Sequence, residues 1–329
     1  MVPVAHASTP QPVTAKKPLP LHTLLGELGK TLTKVVIGMI AVSVLFEFPY
    51  HADVLVPQTV SPDAGKFYAK IYSDAPEQKA DNEADYVKLA QGAIAGFHIV
   101  DRVRRFVRDN QLENKRVLDV GAGTGYLQDV VDNYVGLDIS PSARSYYHKP
   151  YVQASATEMP FKDGEFDALW SIWVLEHVPK PEQALVEMRR VVKDRGLLYL
   201  LPAWNCTPWA AQGYPVRPYS DFGLGGKLVK TSTLFLASPA FRISYIIPTR
   251  VLRREYVQLF HTPTRLHYNL LHPNYAHYWM PDSDALNDID FYEMMLWFIS
   301  RGDECLNCGP LALLQGDELV IRVHKKPTE

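Results

Sequence analysis

The chain has 329 residues, a formal net charge of -2 and 47% hydrophobic residues. That composition supports a large apolar core and excludes extended disorder, and the near-neutral charge lacks the basic footprint of a nucleic-acid-binding protein. The length admits one large α/β domain with additions, or two domains. The three cysteines, Cys206, Cys305 and Cys308, are too few for a disulfide framework and fit a reducing compartment.

In chain order, residues 1–22 are rich in Pro, Ala, Thr and Lys and read as a mobile tail. Residues 35–46 form an apolar run, preceded by Lys30 and Lys34. A helix of that size is about 18 Å long, short of a bilayer core of about 30 Å. The next residues, Glu47-Phe48-Pro49-Tyr50, make a poor signal-cleavage site. Lys16, Lys17, Lys30 and Lys34 would hold the N-terminus inside, placing the rest outside if the run crossed. The expectation is a helix that is buried or lies along a membrane, rather than a single-pass span. Residues 57–62 read as a linker, and residues 64–72 and 82–110 as helical.

The pattern then alternates. Strands are predicted over 116–120, 134–137 (with Asp138 at its end), 151–153, 166–173 and 197–201; helices over 124–131, 141–147 and 182–192. Strands separated by helices imply right-handed crossovers and a parallel sheet. From 202 to 288 the alternation breaks, which marks a large insertion. Residues 289–301 resume as a helix, and 311–314 with 318–323 flank Gln315-Gly316-Asp317 as a hairpin. The resulting division is 1–62, tail and apolar helix; 63–202, N-terminal helices and core; 203–288, insertion or lid that recognises substrate; 289–329, last helix and closing hairpin.

Val117-Leu118-Asp119-Val120-Gly121-Ala122-Gly123-Thr124-Gly125 carries the functional argument. Its glycines let a strand turn sharply into the next element and lie against a ligand. Asp119 precedes them by two places, where a free ammonium would want a carboxylate. Asp138 ends the next strand, where a carboxylate can accept from both hydroxyls of a ribose, or cap the next helix. This series resembles the class I, Rossmann-like S-adenosylmethionine-dependent methyltransferases, in particular the methyltransferase type 11 family. The likeness continues through Ser155-Ala156-Thr157-Glu158-Met159-Pro160-Phe161, Val174-Leu175-Glu176-His177-Val178 and the approach to strand five at Arg189–Gly196. It is strong over residues 116–202, weak over 289–324 and absent over 203–288.

The resemblance implies a mostly parallel sheet with a final antiparallel hairpin strand, an N-terminal helical extension and an insertion after strand five. It implies S-adenosylmethionine as cofactor, with Asp119, Gly121, Ala122, Gly123 and Gly125 at the methionine end. Asp138 would hold the ribose and Ile139 pack on the adenine. Ser155, Ala156 and Thr157 would lie by the adenine edge, and Ser171 and Trp173 on the methionine side. The sequence departs from the family at Ser155, where an acidic residue is common, and at Asp194-Arg195-Gly196, where Pro-Gly-Gly is usual.

For the chemistry, His177 is the candidate general base, with local packing as the alternative. His261, His267, His272 and His277 with Cys305 and Cys308 lack the spacing of a compact zinc site, and no metal is expected. Asp282, Asp284, Asn287, Asp288 and Asp290 form an acidic cluster expected to cap the following helix, or else to bind a cation or sugar hydroxyls. Lys227, Lys230, Arg242, Arg250, Arg253 and Arg254, interleaved with apolar residues, suit either a lid or a membrane interface. The expected activity is O-methylation of a hydroxyl on a sugar, lipid or lipid-linked acceptor. The alternatives are C- or N-methylation of an isoprenoid or other small molecule, and a non-catalytic binding module. Because S-adenosylmethionine is intracellular, the expected location is cytoplasmic, peripheral on the inner face of a membrane, without nucleic-acid partners.

Overall fold

The computed structural model describes residues 21–55, 62–72, 85–260 and 263–325. The predicted tail (residues 1–20 of it), most of the predicted linker and His261 lie outside the described residues.

Among the described residues, seven strands form one sheet of order β3-β2-β1-β4-β5-β7-β6. They are β1 Val117–Val120, β2 Tyr134–Asp138, β3 Tyr151–Gln153, β4 Phe166–Ile172, β5 Val192–Leu201, β6 Glu304–Cys305 and β7 Leu319–Arg322. The first five run parallel, and β7 runs antiparallel to both β5 and β6. Every residue of β1 and β2 is buried, as expected for parallel strands covered on both faces.

Alternation along β4 supplies the two cores. Leu169 faces a layer holding Leu185 and Met188 of α5 (Pro181–Val191) and Trp297 of α8 (Phe291–Ile299). Ala168 and Trp170 face α4 (Ile99–Asp109), whose Ile99, Val103, Phe106 and Val107 recur at helical spacing on one stripe. Each such side chain contributes about 1.5–3 kcal/mol by leaving water. The chain leaves β1 in one direction towards β2 and β3, and in the other towards β4 and β5. The crevice at the carboxyl ends of β1 and β4 is therefore the topological switch point, where open α/β sheets bind ligands.

Several expectations need correction. Residues 124–131 form consecutive turns, not a helix. Few residues separate Gly125 from β2, and Asp129, Val130, Val131, Asp132 and Asn133 are weak helix formers. The partner of β7 on its outer side is β6, and Ala312–Leu314 is a short 3-10 turn instead of the first arm of a hairpin. The insertion is largely helical, with α6 (Leu224–Leu236) and α7 (Pro239–Phe260). Cys305 and Cys308 are disulfide-bonded to each other, a single bridge that makes no framework but departs from the reducing-compartment reading, and neither sulfur is free for a metal; Cys206 is a buried free thiol. Of the histidines, His267 lies against the Arg253 guanidinium, 3.0 Å away. Among the described residues, no group of three His, Cys, Asp or Glu is placed to hold a metal ion.

The apolar run belongs to a longer helix, α1 (Leu21–Glu47, 27 residues). At 1.5 Å per residue this is about 40 Å, so shortness no longer argues against a span. The segment Leu25–Glu47 has a mean hydropathy of 1.7 and none of it is buried, which overturns the buried-helix reading. Only Ile40, Ser43, Val44 and Glu47 are part-covered, near its end. The chain after α1 is stitched into the domain. His51 exchanges two backbone hydrogen bonds with Tyr268, each 3.0 Å. The Asp53 carboxylate accepts from Gln183 N–H (2.7 Å) in the first turn of α5 and from the Tyr268 hydroxyl (2.9 Å). The missing N-cap side chain of α5 is thus supplied from the N-terminal segment.

Candidate active site

The turn after β1 is held by backbone that favours glycine. Gly121, Gly123 and Gly125 have φ of 74°, 49° and 73°. A Cβ on Gly121 would lie 2.2 Å from Cγ2 of Val174, so the turn closes directly on the segment just past β4. Asp138, at the end of β2, accepts from Gly123 N–H and Ser140 N–H, both at 2.9 Å. These bonds lock the glycine turn to the next strand and leave further lone pairs on the carboxylate. Burial raises the Asp138 pKa against those donors. Asp119 lies within β1 and accepts from the Tyr134 hydroxyl at 2.8 Å. Its burial pushes its pKa up to about 7.

The other expected cofactor residues gather on the same edge. Ala122 is buried and Ile139 half-buried. Past β3, the Ser155 and Thr157 hydroxyls are 2.8 Å apart, with Ala156 buried between them. On β4, the other neighbour of β1, Ser171 is buried with a hydroxyl that has no hydrogen-bond partner among the described residues. Trp173 turns the chain off β4 with φ of 54° and meets Phe97 edge to face. Of the six non-glycine residues with positive φ among the described residues, Trp173 follows β4, Asn205 follows β5 and Asp282 lies in the insertion near His177.

A second group surrounds His177 in the short 3-10 turn Leu175–His177. Its Nδ1 lies 3.3 Å from Asp284 Oδ2, and its Nε2 lies 3.6 Å from Glu176 Oε1. Asp284 Oδ2 also accepts from the Tyr68 hydroxyl of α2 (Pro62–Ile71) at 2.7 Å. Glu176 and Asp284 are both 0% exposed. Both Glu176 oxygens, Asp284 Oδ1 and His177 Nδ1 lack hydrogen-bond partners of good geometry among the described residues. Burial works to lower the His177 pKa, but the Asp284, Glu176 and Asp282 carboxylates outweigh it and the net shift is upward. Burial raises Glu176 to about 7 despite the neighbouring imidazole.

The sequence pattern points to His177 but not to Tyr68, Asp284 or any role for Glu176. The acidic cluster before α8 was the available signal. In the structure its members part company. Asp290 alone caps α8, accepting from Tyr292 and Glu293 N–H, and also binds Arg250 at 2.7 Å. Asp288 accepts from Asn269, Asn287 donates to the Leu175 and Val178 carbonyls, and Asp284 turns to His177. Arg250 and Arg253 are likewise buried in ion pairs, the latter with Glu293, so neither is a surface cation.

Residues 118–200 match the family model described as "Methyltransferase domain". An uncharacterized methyltransferase of Mycolicibacterium gilvum is 34% identical over 134 residues, 37% of this chain and 51% of that protein. A ubiquinone biosynthesis O-methyltransferase of Dechloromonas aromatica is 35% identical over 106 residues, 27% of this chain and 44% of that protein. The chain thus spans about half the length of the curated relatives it matches. Among solved structures, the sugar N-methyltransferase KedS8 from Streptoalloteichus is 23% identical, with a TM-score of 0.31 over 40% of this chain and 59% of that one. A glycine cradle with no room for a Cβ, a carboxylate at the end of β2 with lone pairs left over and a Ser171 hydroxyl unpartnered among the described residues suit an adenosyl amino acid at this edge. The chain carries a class I, Rossmann-like methyltransferase domain, whose cofactor is S-adenosylmethionine.

Proposed function

We propose that the chain transfers the cofactor's methyl group to a hydroxyl of a sugar, lipid or lipid-linked acceptor, with His177 as the base. The carrying observation is a histidine flanked by buried carboxylates, in the segment past β4 whose Val174 closes against the glycine turn. When bound, the cofactor supplies an electrophilic methyl on a sulfonium that is already a good leaving group. The chain's own task is alignment, water exclusion and removal of the acceptor proton. In this reading Asp138 receives the ribose hydroxyls and Ile139 the adenine face. Ser155, Ala156 and Thr157 line the adenine edge. Asp119 and the glycine turn, with Ser171 and Trp173, border the methionine portion. The name of the Dechloromonas relative supports transfer to oxygen.

Calorimetry with S-adenosylhomocysteine tests the cofactor half and carries a pH signature. An ammonium near Asp119 favours its charged form, while burial pushes that carboxyl up to a pKa of about 7. Binding below pH 7 must therefore release a proton. Affinity is expected to rise by up to about tenfold per unit between about pH 6 and pH 7, then to level off. Asp119→Asn should flatten this dependence, and Asp138→Ala should weaken binding at every pH. Undetectable binding by the folded wild type, or full binding by Asp138→Ala, would sink the assignment.

The acceptor class rests on exposed apolar surface. Leu28, Leu32, Ile37 and Phe46 of α1 face outward, as do Leu228 and Leu234 of α6 and Leu259 and Phe260 of α7. The covered end of α1 packs on α7, and α6 contacts α7 too, so these exposed residues lie on neighbouring helices. We propose that they form a membrane-contacting surface on a cytoplasmic enzyme. Full-length protein is expected to float with anionic liposomes, and a chain starting after Glu47 to lose most of that binding. Release by carbonate would make the contact peripheral, retention a span. Equal flotation of both chains, or of neither, removes α1 from any membrane role.

A further inference from the structure

We propose that Asp284, carried by the insertion, is the positioning residue for His177, so that the insertion completes the proton-accepting unit of the active site. The inference rests on the methyltransferase reading above and names the residue that would make His177 a competent base.

A histidine accepts a proton at one ring nitrogen only if the other holds its hydrogen in place. Asp284 Oδ2 lies 3.3 Å from Nδ1 of His177, and Asp284 is itself fixed by the Tyr68 hydroxyl at 2.7 Å. The backbone around it is anchored as well: Leu286 N–H donates to the Glu176 carbonyl at 2.8 Å, and the Asn287 amide donates to the Leu175 and Val178 carbonyls, both at 3.0 Å. Three elements distant in sequence thus converge on one imidazole: α2, the turn after β4 and the insertion. A buried carboxylate with an unpartnered oxygen is costly to maintain for packing alone. Beside an imidazole, its charge favours a hydrogen on the nearer nitrogen, Nδ1, and stabilises the imidazolium.

The charge environment fits that task. The groups facing His177 are Glu176 from its own turn, Asp282 and Asp284 from the insertion, and Tyr68 from α2; the Cys206 thiol lies beyond, near Asp282. Excess carboxylate raises the basicity of the ring, burial notwithstanding. In the transfer, the acceptor O–H bond breaks and its proton passes to Nε2 as the acceptor oxygen bonds to the methyl carbon. A bound cofactor would supply that methyl and retain, on sulfur, the electron pair of the bond given up. The positive charge thereby moves from the sulfonium to His177, where Asp284 and Glu176 face it.

The test is NMR of full-length protein with labelled histidine, the His177 signals assigned by their loss in His177→Ala. Wild-type His177 should be protonated on Nδ1 in its neutral form; a neutral form protonated on Nε2 overturns the proposal. Asp284→Asn should lower the His177 titration midpoint by about one pH unit or more. Tyr68→Phe, which keeps the carboxylate and its charge, should leave the midpoint at or above the wild-type value. An unchanged midpoint in Asp284→Asn overturns the proposal, and the wild-type tautomer decides it even if that variant does not fold. None of these readouts needs an acceptor or turnover. Their failure strikes the positioning role alone, whereas failed S-adenosylhomocysteine binding strikes the methyltransferase reading.

Discussion

Gly121→Ala is expected to reduce S-adenosylhomocysteine affinity at least about 30-fold and to lower the melting temperature. Two independent effects combine. At φ of 74° an L-residue sits in the left-handed region, which costs about 1–2 kcal/mol. The new methyl would also lie 2.2 and 2.6 Å from the two γ-carbons of Val174, an overpacking of about 1–3 kcal/mol. Relief requires the turn to move away from the strand-four loop, and that movement dismantles the cradle. Val174→Ala in the same chain should recover much of the steric part, because both γ-carbons go and only the Cβ, 2.9 Å away, stays close, and should leave the backbone part. Wild-type affinity and melting temperature in Gly121→Ala alone would show that the turn is not where the cofactor binds.

His177→Ala is expected to lower turnover about 100-fold or more while S-adenosylhomocysteine affinity stays within about twofold of wild type. General-base assistance contributes about 10²–10⁴ in rate, and His177 is the base proposed for this edge. The measurement is transfer of labelled methyl from S-adenosylmethionine into lipid and glycan extracts. Removing the ring also leaves Asp284 and Glu176 facing an empty space, so a stability loss is expected alongside. His177→Gln separates the two effects, because it keeps a polar group there without useful basicity. Near-normal turnover in both variants takes His177 out of the chemistry.

The sheet was legible because its strands are short apolar runs between helices, a pattern dictated by burial on both faces. The glycine turn was legible because few residues other than glycine tolerate its φ values. Residues 124–131 misled through their apolar spacing: Leu127, Val130 and Val131 do face the core, but from turns. The length of α1 was underestimated because only the uncharged run was counted. Leu25, Leu28 and Leu32 extend the same helix past Lys30 and Lys34, and Lys30 pairs with Glu27 at 2.8 Å. Asp284 could not be assigned at all. Its contact with Tyr68 joins positions 216 apart, and nothing local distinguishes it from Asp282 or Asp288.

The junction after α1 has a mechanical consequence. His51 and Asp53 fasten the chain to Tyr268 and to the first turn of α5, close behind the helix end. Glu182 in that same turn receives the Trp297 indole N–H at 2.8 Å, which continues the path into α8. Any tug or tilt applied to α1 is thus delivered to the helical layer under the sheet and not absorbed by a slack tether. In the proposed membrane-contacting enzyme, a bilayer that grips α1 would also set the standoff and the heading of the β4 edge, and with them the height and side from which the proposed acceptor is presented.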